Sequence, residues 1–114
     1  METSEVSRHM LGLLWQSTSA LHERFGNVDY TSVRHKQARW AKVEEEYREF
    51  QYAQDAQART EEAVDLLVTV LGVLQMEGVQ LEELEKMVAN VIAKNGAKNE
   101  HTHELKDYKI VRRK

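Results

Sequence analysis

The sequence predicts an all-α fold, and three observations carry that prediction. The 114 residues contain no proline and only five glycines, whereas a β-rich chain needs turn formers roughly every 8–12 residues. Apolar residues recur at separations of three and four through long segments, the period of a half-buried helix. Gly26, Gly78 and Gly96 fall just where those periodic segments stop, as glycine does at helix C-termini.

Four helices and a tail follow in order. The first is predicted over about 4–24, with Val6, Met10, Leu13, Leu14 and Leu21 near helical spacing and Gly26 ending it. Gly26-Asn27-Val28-Asp29-Tyr30 is a turn-rich break. The second helix is predicted over about 32–56, long and heavily charged, with Asp29 or Thr31 as its cap. Thr60 is the expected cap of the third, which has acids in its first turn and Gly78 beyond its end. From Ala63 to Leu74 this helix is apolar nearly all round. Such a helix must be covered on every side, so assembly into a homodimer or homotetramer is expected. The fourth helix is predicted over about 81–94, closing at Asn95-Gly96. The tail from Ala97 to Lys114 has no clear period, although Tyr108, Ile110 and Val111 point to an extended stretch.

Composition narrows the class. The length fits one domain spanning residues 1–114, and 41% hydrophobic with 31% charged residues is a globular balance. No run approaches the roughly 20 apolar residues of a membrane span. The N-terminus carries Glu2 and Glu5 in place of a basic, then apolar, leader, so no signal peptide and a cytoplasmic location are expected. Without cysteine there is no disulfide, thiolate metal site or cysteine nucleophile. Residues 1–85 hold 8 basic and 16 acidic side chains, and residues 86–114 hold 8 basic and 3 acidic. An acidic body with a basic tail lacks the continuous basic face of a nucleic-acid binder. It does suit a polyphosphate carried with a divalent cation.

The candidate chemistry lies in two acidic pairs. The second helix contains Glu45-Glu46-Tyr47-Arg48-Glu49, and the third contains Glu62-Ala63-Val64-Asp65. Residues three apart share a helix face, so Glu46 pairs with Glu49 and Glu62 with Asp65. On antiparallel neighbours the two pairs would converge as four oxygen ligands, a set suited to Mg²⁺ or Mn²⁺. Either pair alone is ordinarily a solvated face. However, Glu62 and Asp65 share a stripe with Leu66, Thr69 and Val73, and acids facing a core need a partner or a metal.

The ordered pattern Glu-Glu-x-x-Glu, twelve intervening residues, then Glu-x-x-Asp resembles the signature of the MazG-like all-α nucleoside triphosphate pyrophosphohydrolases. That superfamily also includes the dimeric dUTPases and the phosphoribosyl-ATP pyrophosphohydrolases. The segment Ala93-Lys94-Asn95-Gly96-Ala97-Lys98-Asn99 is similar to the family's basic element. The resemblance covers roughly residues 30–100 and implies a four-helix bundle, Mg²⁺ held by Glu46, Glu49, Glu62 and Asp65, and release of pyrophosphate. A water activated by the metal or oriented by Glu45 would attack the α-phosphorus. Lys94, Asn95 and Lys98 would face the substrate phosphates. The Cys-Pro-Trp-Asp loop of tandem-domain members is absent, with Arg24-Phe25-Gly26-Asn27 near its place. No clear match marks the histidine-biosynthetic branch, so a stand-alone member, suited to nucleotide-pool house-cleaning, is expected.

Other residues have plainer roles. Trp15 and Trp40 are read as core or interface before base-stacking, and Met10, Met76 and Met87 as core filler. His35, Arg39 and Lys42 share a face with Glu46 and are read equally as groups within reach of a triphosphate or as a solvated basic patch balancing the acids. His101-Thr102-His103 lacks the further ligands a transition metal needs. The principal alternative is a non-enzymatic helical interaction or regulatory module whose acids only solubilise it. A second keeps the fold but hydrolyses a nucleoside diphosphate or nucleotide-sugar.

Overall fold

The computed structural model describes residues 3–114, with side chains described from His9 onward. Glu2 lies outside the described residues, and Glu5 and Val6 outside the described side chains. The chain forms α1 (Thr3–Arg24), α2 (Val33–Gln51), α3 (Ala56–Met76) and α4 (Leu81–Gly96), then β1 (His103–Lys106) and β2 (Lys109–Arg112). The four predicted helices are present and the fold is all-α but for one small hairpin. Two compact units divide the chain, Met1–Leu81 and Glu82–Lys114.

The first unit packs α1 and α2 against α3. Among the described residues its core is small: Trp15, Leu71, Val73 and Met76 are the buried apolar side chains. Polar clamps supplement them. Gln75 donates through Nε2 to the Trp15 carbonyl at 2.8 Å, tying α3 to α1. Arg39 is only 4% exposed, and its Nη1 donates to the Gly72 carbonyl at 2.7 Å while Nη2 donates to that of Asn27. The helices meet closely at Gly72, where a Cβ would lie in contact, 3.4 Å from His22 Nε2 and 3.8 Å from Arg39 Nη1.

The helix boundaries differ from expectation at three places. Ser32, not Asp29 or Thr31, caps α2, accepting from the His35 amide. Asp29 instead holds Thr31 through its backbone and hydroxyl. Helix α2 stops at Gln51 and α3 begins at Ala56, because Asp55 caps α3 by accepting from the Ala58 amide at 2.8 Å. Thr60 lies inside the helix and its hydroxyl donates back to the Ala56 carbonyl. Carboxylates out-compete threonine as N-caps. Trp15 is core as read, and so is Met76, but Met10 and Met87 are 53% and 63% exposed and do not fill a core. On α3, Val64, Leu67 and Val70 remain exposed.

The second unit joins α4 to the hairpin. The tail read as aperiodic is antiparallel, with His103 opposite Arg112 and Lys106 opposite Lys109. Asp107 and Tyr108 both take positive φ, 51° and 64°, the left-handed pair a two-residue hairpin turn requires. Asn99 anchors the approach, its side chain accepting from the His101 amide at 2.8 Å.

Candidate metal centre

Helices α2 and α3 run antiparallel through the short 52–55 connection, bringing the end of α2 beside the start of α3. One carboxylate oxygen from each of Glu46, Glu49 and Glu62 lies within 4.8 Å of the others. Glu46 is buried, Glu62 half-buried and Glu49 exposed. Three of the four acids expected as ligands are therefore together. Asp65, one turn beyond Glu62, is exposed and stands outside the trio.

The electrostatics of the trio are unbalanced. Glu46 Oε1 pairs with Lys42 Nζ at 3.2 Å, but Glu46 Oε2 and Glu62 Oε2 are buried with no hydrogen-bond partner. Buried carboxylate oxygens are costly to leave unmet. The Glu46 carboxylate beside Glu49, which a protonated Glu49 would hydrogen-bond, raises the proton affinity of Glu49, with partial desolvation and Glu62 adding to it. Orphaned buried oxygens and a carboxylate that resists ionising are what a set of hard-cation ligands presents without its cation. The donor set fits a divalent metal.

Lys42 links this centre to a cavity of about 320 Å³ between the three helices of the first unit. Thr18, His22, Asn27, Arg39 and Thr69 line it with Lys42. Burial first, and the Arg39 charge second, hold His22 below the ordinary imidazole value, and its Nδ1 lies 2.9 Å from Asn27 Nδ2. Arg39, placed by sequence within reach of a triphosphate or on a solvated patch, has Nη1 and Nη2 committed to main-chain carbonyls. The cavity is thus cationic at Lys42 on the rim and at Arg39 on the wall, where main-chain carbonyls hold the guanidinium in place.

The remaining site candidates separate. Glu45 is exposed and pairs with Lys42 Nζ at 3.3 Å, outside the trio. Lys94, Asn95 and Lys98 are exposed in the second unit, and Lys94 and Lys98 line a cavity there. Trp40 is 55% exposed on α2. Sequence reasoning did not find the cavity beside Lys42: burying an arginine on backbone carbonyls leaves no periodic signal. Among the described residues no helix is long and apolar enough to cross a membrane.

Comparison with known families gives a match over residues 20–95 to the model described as phosphoribosyl-ATP pyrophosphohydrolase. The match spans all of α2 and α3, and with them the three clustered carboxylates. It falls on the branch whose marker motifs the sequence alone did not display. No curated protein and no solved structure matches the chain.

Proposed function

The chain belongs to the phosphoribosyl-ATP pyrophosphohydrolase family, and from that premise we propose that it hydrolyses a nucleoside triphosphate or related nucleotide to the monophosphate and pyrophosphate. The observation that carries the proposal is the pair of buried, partnerless oxygens on Glu46 and Glu62 beside Glu49. In this reading Glu46, Glu49 and Glu62 hold Mg²⁺, with Asp65 as a fourth ligand from the same face of α3. The metal, when bound, supplies Lewis-acid activation and charge neutralisation at the phosphates.

The chain's own residues do the rest. Glu45 is the base that orients the attacking water, close to the centre because Lys42 bridges it to Glu46. Lys42 sets positive charge at the mouth of the cavity, and a neutral His22 with Asn27 and Thr69 offers hydrogen bonds to an uncharged base or ribose inside it. Lys94, Asn95 and Lys98 serve the phosphates of the leaving group. The family's name makes phosphoribosyl-ATP one candidate substrate, beside the ordinary triphosphates of a house-cleaning role in the cytoplasm. The whole chain acts as one catalytic domain, working as a homo-oligomer.

A panel of nucleoside triphosphates and phosphoribosyl-ATP, assayed for pyrophosphate with Mg²⁺ and then with Mn²⁺, tests the reaction. Pyrophosphate release from at least one substrate is expected, together with loss of most turnover in Glu46→Gln, Glu49→Gln, Glu62→Gln and Asp65→Asn. Combining two substitutions should add little, because one loss already empties the site. Orthophosphate as the product would reassign the reaction. Failure to turn over any substrate would leave a helical interaction module as the better description.

A further inference from the structure

The second unit, Glu82–Lys114, has no core of its own. No residue in it is buried, yet Met87, Val88, Val91 and Ile92 on α4 and Leu105 and Ile110 on the hairpin are large, exposed apolar side chains. Chains shorter than about 40 residues usually need disulfides, a metal or oligomerisation to stay folded, and a two-stranded hairpin alone is marginal. The chain has no cysteine. Among the described residues the one group of side chains close enough to share a metal is Glu46, Glu49 and Glu62, in the first unit. Association with another chain remains.

The side chains of α4 say which chain, and in which direction. Leu84, Val88, Val91 and Ile92 recur at separations of three and four, so they form one apolar stripe with Met87 on its edge. Glu83 and Lys94 lie beside Met87 on that edge, because eleven residues make about three full turns. The helix dipole accounts for acids in the first turn and a lysine in the last. It does not require Glu83 and Lys94 on the same flank of an apolar stripe. In a two-fold antiparallel pair the same surface meets itself, flank to like flank. Glu83 and Lys94 are equally far from the Val88–Ala89 peptide bond, so an axis there sets Glu83 of each copy against Lys94 of the other. A parallel pair would instead bring the acidic first turns together. Past the end of α4, Leu105 and Ile110 lie opposite each other on the hairpin. With Asn95 and Lys98 they line a cleft of about 640 Å³, where Glu104 and Arg113 pair with each other. The apolar strip therefore continues beyond the helix.

We propose that α4 and the Leu105–Ile110 face of the hairpin pack against the same surface of a second copy of this chain, antiparallel about a two-fold axis near Val88. The 16 residues of α4 give a contact about 24 Å long, and the hairpin extends it towards the area a specific interface needs. The first turn of the second α4, with its Leu84, then reaches Leu105 and Ile110. This surface is distinct from the exposed α3 residues around Val70, and it goes beyond the hydrolytic reading: it stands on mass and not on turnover. With the α3 face paired as well, two different two-fold interfaces on one chain close into a tetramer.

Sedimentation equilibrium of the full chain, with circular dichroism for helix content, tests it. Wild type should be at least a dimer at micromolar concentration. Val91→Lys places a charge in the stripe at a residue already 53% exposed, and should halve the mass while helix content holds. Val70→Lys leaves the α4 contact in place and should not reach the monomer, whereas the two substitutions together should. Glu83→Lys and Lys94→Glu should each weaken association by roughly tenfold, since two pairs turn repulsive at once. Both reversals in one chain should restore it. The proposal is overturned by a monomeric wild type, by a monomeric Val70→Lys, or by an unchanged mass in Val91→Lys. It is equally overturned if Val91→Lys loses helix and not a partner, since the stripe is then covered by the chain's own first unit. Single charge reversals without effect, or a double reversal no stronger than the singles, overturn it too.

Discussion

Glu62→Gln should make the metal-free protein more stable and the metal-loaded protein less so. Glu62 Oε2 has no hydrogen-bond partner, so the substitution breaks no contact at that atom and keeps the side chain's volume. What it removes is repulsion. At 4.8 Å, the outer limit for the clustered oxygens, two full charges repel by about 3.5 kcal/mol at an effective dielectric of about 20, and by about 0.9 kcal/mol in bulk water. Lys42, 3.2 Å from Glu46, offsets part of that. A gain of about 1–2 kcal/mol remains, or roughly 5–10 °C in Tm for a chain of this size. Metal reverses the order. At a concentration of 100 Kd the cation stabilises wild type by about 2.7 kcal/mol, and the variant, short of one ligand, gains less. Thermal melts followed by circular dichroism, with chelator and then with Mg²⁺ or Mn²⁺, read both halves. Low salt should widen the metal-free difference. A variant less stable than wild type in chelator, together with a wild type indifferent to metal, would refute the reasoning and leave the acids as a solvated face.

Three further outcomes follow from named contacts. His22 is held below its ordinary value by burial and Arg39, so the unfolded chain takes up that proton more readily than the folded one. Its contribution is complete above about pH 6.5 and is lost as pH falls through the lowered folded value; in urea melts His22→Gln should flatten this acid-side slope, and an unchanged slope rejects the assignment. Lys42, raised in proton affinity by Glu46 and then Glu45, occupies Glu46 Oε1, so Lys42→Gln should tighten Mn²⁺ binding severalfold by calorimetry, since it removes a competing cation. Weaker Mn²⁺ binding in that variant would show the lysine supporting the centre instead. Val70, 38% exposed on α3 beside Val64 and Leu67, is expected in a subunit interface, and Val70→Lys should shift sedimentation towards the monomer; a wild type already monomeric at micromolar concentration excludes the assembly.

The helices were legible because apolar spacing and a glycine agree on where α1 and α4 end, at Gly26 and Gly96. The α2–α3 boundary was not, because Tyr52-Ala53-Gln54-Asp55 contains no proline or glycine and Asp55 caps without punctuation. The hairpin was hidden for a related reason. Its turn uses Asp107 and Tyr108 at positive φ, where the usual signal is Asn-Gly, so only the extended character near Ile110 and Val111 showed. At the candidate metal centre, the three-residue spacing of Glu46 and Glu49 and the place of Glu62 near the start of α3 were enough to bring those carboxylates together. Spacing alone could not say that Asp65 would stand exposed outside the trio, because that depends on how far α3 is rotated against α2.

That rotation is held by Arg39, and its chemistry explains why the carboxylates stay uncompensated. A guanidinium buried on α2 with two of its nitrogens on the Gly72 and Asn27 carbonyls fixes α2 against α3 and against the loop after α1. Glu46 lies seven residues along from Arg39, about two turns or 10 Å at helical rise. A flexible lysine at position 39 could swing towards the acids, but a planar fork committed to main-chain oxygens cannot. Among the described residues only Lys42 reaches the trio. It is half exposed and shared with Glu45, so one ammonium faces three carboxylates. The clamp that aligns the carboxylates therefore also withholds the positive charge that would neutralise them, and a divalent cation is a group that could restore the balance.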